Sequence, residues 1–164
     1  MTMKFAIVLT LFATTACSNA YAGLPECKGI GLPGLPGGFV DLGGSLIGPV
    51  DGVDYGFEHV CKGRSHELWL QRVQKRDQQG NPIWSTVARL AVPRVKVDEL
   101  LVFGRWSTCE RESSTDPAIV AIVKDTNGPH FTAVVRAWRA NGPEARFDAI
   151  ATVGVVCRND NYGL

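Results

Sequence analysis

The side chains with the richest chemistry are grouped early: His59-Val60-Cys61, with His66 five positions further on. Imidazole and thiolate are the groups that hold zinc or drive nucleophilic catalysis. Their spacing argues against a metal centre, because the chain has no C-x-x-C pair and no H-x-x-x-H spacing. Ser65-His66-Glu67 offers the residue types of a hydrolytic triad. On an extended strand, however, Ser65 and Glu67 point away from His66. Gly43-Gly44-Ser45-Leu46-Ile47-Gly48 approaches a nucleophile elbow but places Ile47 where G-x-S-x-G requires glycine.

Carboxylates are the remaining route to catalysis. A glycosidase needs two of them roughly 5–10 Å apart. Glu110 with Glu112, and Asp98 with Glu99, are the candidate pairs. Sixteen acidic residues in so short a chain produce such pairs by composition alone, so solvated loop carboxylates are the better reading. Asp125-x-Asn127-Gly128 holds a fragment of a calcium loop without its other ligands and reads as a turn. No catalytic residue, metal or cofactor is assigned.

Aromatic residues are more suggestive of binding. Trp69, Trp84, Trp106 and Trp138 all fall on or beside expected strands. Filling a small β core is their ordinary use. Trp138 lies between Arg136 and Arg139, and indole beside guanidinium makes a stacking platform. If the last hairpin forms, Arg136, Trp138 and Arg146 make a cross-strand binding patch.

These groups need a scaffold, and its compartment is legible first. Lys4, the apolar run Phe5–Ala13 and Ala20-Tyr21-Ala22 read as an export signal over residues 1–22, cleaved after Ala22. Thr14-Thr15-Ala16-Cys17 keeps a lipoprotein leader, lipidated at Cys17, as an alternative. Either route leaves Cys27, Cys61, Cys109 and Cys157 in a compartment where disulfides persist. Four cysteines allow three pairings. Locality favours Cys27–Cys61, stapling the N-terminal segment to the first strand, and Cys109–Cys157, closing the domain at its last strand. No apolar run after residue 22 is long enough to span a bilayer.

The 164-residue chain carries 17 basic and 16 acidic residues, and the leader removes only Lys4. A balanced charge gives no electrostatic reason for nucleic acid as a partner. Lys62, Arg64, Arg72, Lys75 and Arg76 read as a solvated strand face.

Residues 23–56 hold eleven of the 18 glycines and four of the nine prolines. Both residues oppose a long helix or a regular central strand, so 23–52 is expected to be irregular and 53–164 to form one β-rich domain. Tyr55, Phe57, His59 and Cys61 alternate as a half-buried strand does. Glu67–Lys75 and Ile83–Val92 flank a loop, as in a hairpin, with Trp84, Thr86, Ala88, Leu90 and Val92 on one face. Ala118–Val123 is a buried strand by length and β-branching. Residues 95–103 alternate between strand and helical-turn patterns. His130–Arg139 fits both a helical stripe and a strand, and the alternating arm that follows it, Phe147 to Cys157, favours strand.

The fold expected is mainly β: a small antiparallel β-sandwich or partly open barrel of six to seven short strands, with little helix and two disulfides. The function expected is an exported bacterial cell-envelope binding module without catalysis, of the periplasmic inhibitor or immunity type. A cell-wall-acting envelope enzyme and a structural envelope component are the alternatives. The partner would be an envelope protein or a secreted enzyme.

Overall fold

The computed structural model of the protein describes residues 23–163, apart from 25, 28–34, 36 and 105–107. The expected export signal, Cys17, Trp106 and most of the glycine-proline core at 29–38 lie outside the described residues.

Among the described residues the chain is mainly β, and its strands form three antiparallel sheets without a closed barrel. The first sheet is a meander of β1 (Val40–Val50), β2 (Val53–Lys62), β3 (Ser65–Arg76) and β4 (Pro82–Ala91). The second runs in the order β11-β10-β8-β5, built from β5 (Glu99–Phe103), β8 (Ile119–Lys124), β10 (Val134–Asn141) and β11 (Arg146–Ile150). The third is small: β6 (Cys109–Arg111), β7 (Ser114–Thr115), β9 (His130–Phe131) and β12 (Val155–Arg158), ordered β7-β6-β12-β9.

The middle sheet explains the apolar run of β8. A strand covered on both faces must be apolar at every position. Val120 packs with Tyr55, Phe57, Leu68 and Leu70 of the first sheet. Ile119, Ala121 and Val123 pack with Cys109, Phe131, Val155 and Cys157 of the third. Two cores therefore lie on either side of one sheet.

Both disulfides pair as locality predicts, Cys27 with Cys61 and Cys109 with Cys157. The Cys27 amide also donates to the Gly63 carbonyl at 2.8 Å, so the N-terminal segment is pinned beside the β2–β3 turn. Two disulfides suit an oxidising compartment, and no helix among the described residues is long and apolar enough to cross a membrane.

Three expectations change. Residues 40–50, read as irregular, form the edge strand β1, so the β-rich unit begins before residue 53. Their glycines serve the strand rather than break it. The register shifts between Asp41 and Gly44 and between Leu46 and Gly48, and Gly43 (φ 106°) and Gly48 (φ 113°) supply the left-handed backbone there. An edge strand also tolerates Pro49.

The second change is in β4. Two β4 steps match one β3 step between Leu70↔Ala88 and Gln71↔Thr86, a bulge at Val87. Ala88 and Leu90 face the core, whereas Trp84 is turned to the outer surface of the sheet. Third, Phe147 to Cys157 is not one arm. The Val155 amide donates to the Thr152 carbonyl at 3.1 Å, Gly154 takes φ 80°, and β12 leaves for the third sheet. Residues 134–141 form a strand, as favoured from the sequence, and 99–103, which fitted both strand and helical turn, form another. The strand count exceeds six to seven chiefly because β6, β7 and β9 are two or three residues long and carry no periodic signal.

Candidate functional site

The outer face of the first sheet is where the site residues meet. Alternation along β2 sends Tyr55 and Phe57 into the core, leaving Gly56 and Glu58 outside. Gly44 stands opposite Glu58 on β1, and Gln71 stands opposite Gly56 on β3. Two positions without side chains, diagonal to one another across the β1–β2 ladder, leave a hollow. It measures about 330 Å³ and is lined by Asp41, Gly44, Leu46, Glu58, Gln71 and Trp84, among others. The Trp84 ring lies 3.7 Å from where a Cβ on Gly56 would stand, so the indole roofs the glycine.

Glycine at position 44 is demanded by space. A Cβ there would collide with the Phe57 carbonyl oxygen, which belongs to the neighbouring backbone and cannot move independently. Gly44→Ala should therefore displace β1 and cost about 1–3 kcal/mol, the range of an overpacked site. Thermal denaturation checks this, and an unchanged melting temperature would show that the edge yields freely.

Two carboxyl groups, Asp41 and Glu58, line the hollow. Burial pushes the Glu58 carboxyl above its ordinary range, and the Asp41 carboxylate pushes it further. The Gln71 amide, which donates to Glu58 Oε2, offsets part of this. A second hollow of about 200 Å³ adjoins the first and is lined by Gly48, Asp54, Val73, Arg76 and Pro82. Arg76 pairs there with Asp54 at 2.9 Å. Leu46 and Trp84 line both hollows and so form the ridge between them. Leu46 is 52% exposed.

Beyond the hollow, the same outer face carries Trp69. It is buried between the Phe39 ring, 5.3 Å away edge-on, and the Arg89 guanidinium, 4.4 Å above the indole. Its Nε1 donates to Glu67 at 2.6 Å. Trp69 is thus structural, as a core aromatic was expected to be, but it is covered by Phe39 and Arg89 rather than by another sheet.

The predicted patch does not assemble. Trp138 is half-buried and packs against the core between the first two sheets. Arg136 shares its face, two positions away along β10. Arg146 pairs with Asn141, three residues from Trp138, so it lies on the opposite face of the sheet. There it is held by Asp148 at 2.6 Å and Glu144 at 3.3 Å. The sequence could not fix this parity without the hairpin register.

The other candidates also disperse. Ser65 is exposed while His66 is buried, as alternation requires. Ser45 sits in β1, and its side chain abuts Gly104. Asp98 and Glu99 both bind Lys124, at 2.6 and 3.3 Å, in a structural ion cluster. Glu110 is in β6, whereas Glu112 occupies the following turn with φ 54°.

A buried histidine pair lies at the far end of the first sheet. His59 Nε2 and His66 Nδ1 are 3.1 Å apart, and the Phe103 ring meets His59 edge-on at 5.7 Å. Burial, and secondarily His66, lowers the His59 pKa to about 4, so this imidazole is neutral at neutral pH.

Sequence reasoning missed Asp41, Glu58, Gln71 and Leu46. The available signal was Gly56-Phe57-Glu58: a glycine and an acid on the same face of a strand whose other face is aromatic. Comparison with protein-family models finds no match to this chain, and comparisons with curated proteins and with solved structures find none either.

Proposed function

We propose that the protein is an exported, non-catalytic binding module that takes a protein partner on the outer face of the β1–β4 sheet. The observation that carries this reading is the Leu46–Trp84 ridge standing between two hollows. Aromatic and apolar anchors surrounded by polar groups are the usual anatomy of a protein-binding hot spot. The Asp41 and Glu58 carboxylates beside the Trp84 indole favour a partner that inserts a basic side chain, by ion pairing and cation–π attraction. Residues 1–22 would direct export, with cleavage after Ala22 or lipidation at Cys17. A periplasmic inhibitor or immunity-type protein fits this profile.

A photo-crosslinking residue placed at Leu46, in the cell that makes the protein, tests the surface. The control site is Val153, which is 86% exposed at the tip of the β11–β12 turn. Adducts should form from position 46, be absent from position 153, and disappear on Trp84→Ala. Equal labelling from both sites would refute the assignment.

One observation favours a second reading. The Glu58 carboxyl, its pKa raised by burial and by the neighbouring Asp41, is one member of a carboxyl pair of the kind acid–base catalysis uses, as a cell-wall hydrolase would need. Turnover of cell-wall fragments by the purified protein, lost in Glu58→Gln, would replace the binding reading with this one.

A further inference from the structure

Beyond the binding surface, the Cys27–Cys61 bridge has a third soft ligand beside it. The two Sγ atoms and one ring nitrogen of His66 all lie within 4.8 Å of one another. Cys61 and His66 are direct cross-strand partners on β2 and β3. Cys27 is brought to them by its backbone hydrogen bond to Gly63. His59 backs His66 through the 3.1 Å contact between their rings. Cys61, His59 and His66 are all buried, and Cys27 is half-buried. The metal reading failed in the sequence because Cys27 is 34 residues from Cys61, so no short ligand motif exists.

We propose that these residues form a redox-gated zinc site. With the bridge closed, the sulfurs are bonded to each other and cannot ligate. A dithiol reductant supplies two electrons and two protons, the S–S bond breaks, two thiols form, and the reductant becomes its own disulfide. Zn²⁺ then displaces both thiol protons, making two Zn–S bonds and one bond to His66. Two thiolates and an imidazole are a soft donor set suited to zinc, and three protein ligands leave a fourth position open. A metal-bound histidine ordinarily has its second ring nitrogen hydrogen-bonded. His59 therefore acts as a positioning residue for His66.

The test uses the whole mature chain, reduced with a phosphine that is removed before metal is added. Alkylation mapping first identifies which bridge has opened; the half-buried Cys27 should make Cys27–Cys61 the more accessible one, since Cys109 and Cys157 are both buried. Cobalt(II) then reports ligation through thiolate charge-transfer and tetrahedral d–d bands, and zinc competition gives the affinity. One equivalent should bind the reduced protein and none the oxidised protein. His59→Ala should weaken zinc about 10–100-fold, and His66→Ala should weaken it more. Circular dichroism establishes that both variants remain folded, and neither removes a sulfur. A Cys27–Cys61 bridge that resists native reduction would overturn the proposal. So would cobalt spectra unchanged by His66→Ala, which would place any bound ion elsewhere.

Discussion

Replacing both Cys109 and Cys157 by alanine should cost about 4 kcal/mol of stability, the chain-entropy value for the 48-residue separation this bridge closes. That is a large share of the ~5–15 kcal/mol by which a domain is ordinarily stable. The loss should be felt first in the third sheet. Its strands are two to four residues long, too short for ladder hydrogen bonds to hold alone. Cys109 and Cys157 are directly paired in the ladder between β6 and β12. They also sit in the core with Phe131, Val123 and Ala137. Losing the bridge therefore releases the cover of the middle sheet as well as a loop. Urea denaturation should show a lower midpoint and a slope no smaller than the wild type's, because the unfolded chain loses a crosslink. A loss under about 1 kcal/mol would mean that apolar packing alone secures the third sheet.

The elements that were legible in the sequence are those whose burial is uniform along their length. Ala118–Val123 reads as a buried strand because both its faces are covered, and nothing interrupts the apolar run. The β3–β4 hairpin reads correctly because Asp77-Gln78-Gln79-Gly80-Asn81-Pro82 is turn chemistry. The Asp77 carboxylate accepts from the amides of Gln79 at 2.9 Å and Asn81 at 2.8 Å. The cysteine pairing was accessible through locality alone.

Errors of reading came from bulges, which change the parity of every later residue. Trp84 and Leu90 have the same parity in sequence, yet the bulge at Val87 puts them on opposite faces. That single event moves Trp84 from the expected core to the candidate site. Glycine was misread for a related reason. At Gly43 and Gly48 it permits the bulges of an edge strand, and at Gly44 and Gly56 it makes room. The hollow is thus written in the sequence as missing side chains, and the cross-strand register decides which side chains stand opposite them. Arg146 fell outside its expected patch because that register, too, is set by the β10–β11 turn.

Acidification should weaken the fold through His59. Its folded-state pKa, about 4, lies below its ordinary 6.5. Between these values the unfolded chain binds the proton and the folded chain does not. The contribution is therefore fully present above about pH 6.5 and is lost progressively as pH falls toward 4, with a limiting slope of about 1.4 kcal/mol per pH unit. The integrated loss is about 3 kcal/mol, set by burial first and by His66 second. Glu58 acts with the opposite sign. Its raised pKa gives stability at low pH that is lost as pH rises through its folded value, so it offsets part of the histidine effect at the acidic end. Urea denaturation at a series of pH values checks both. His59→Gln should flatten the pH dependence over this interval, and Glu58→Gln should steepen it near its lower end. A wild-type slope between pH 6.5 and 4 that survives in His59→Gln would overturn the assignment to His59. The ion-paired Asp98 and Glu99, whose pKa values are held low by Lys124 and by the Lys96 amide respectively, add a separate loss at lower pH. Their contribution has its own signature, because it is lost only below the ordinary carboxylate range, whereas that of His59 begins to fall near pH 6.5.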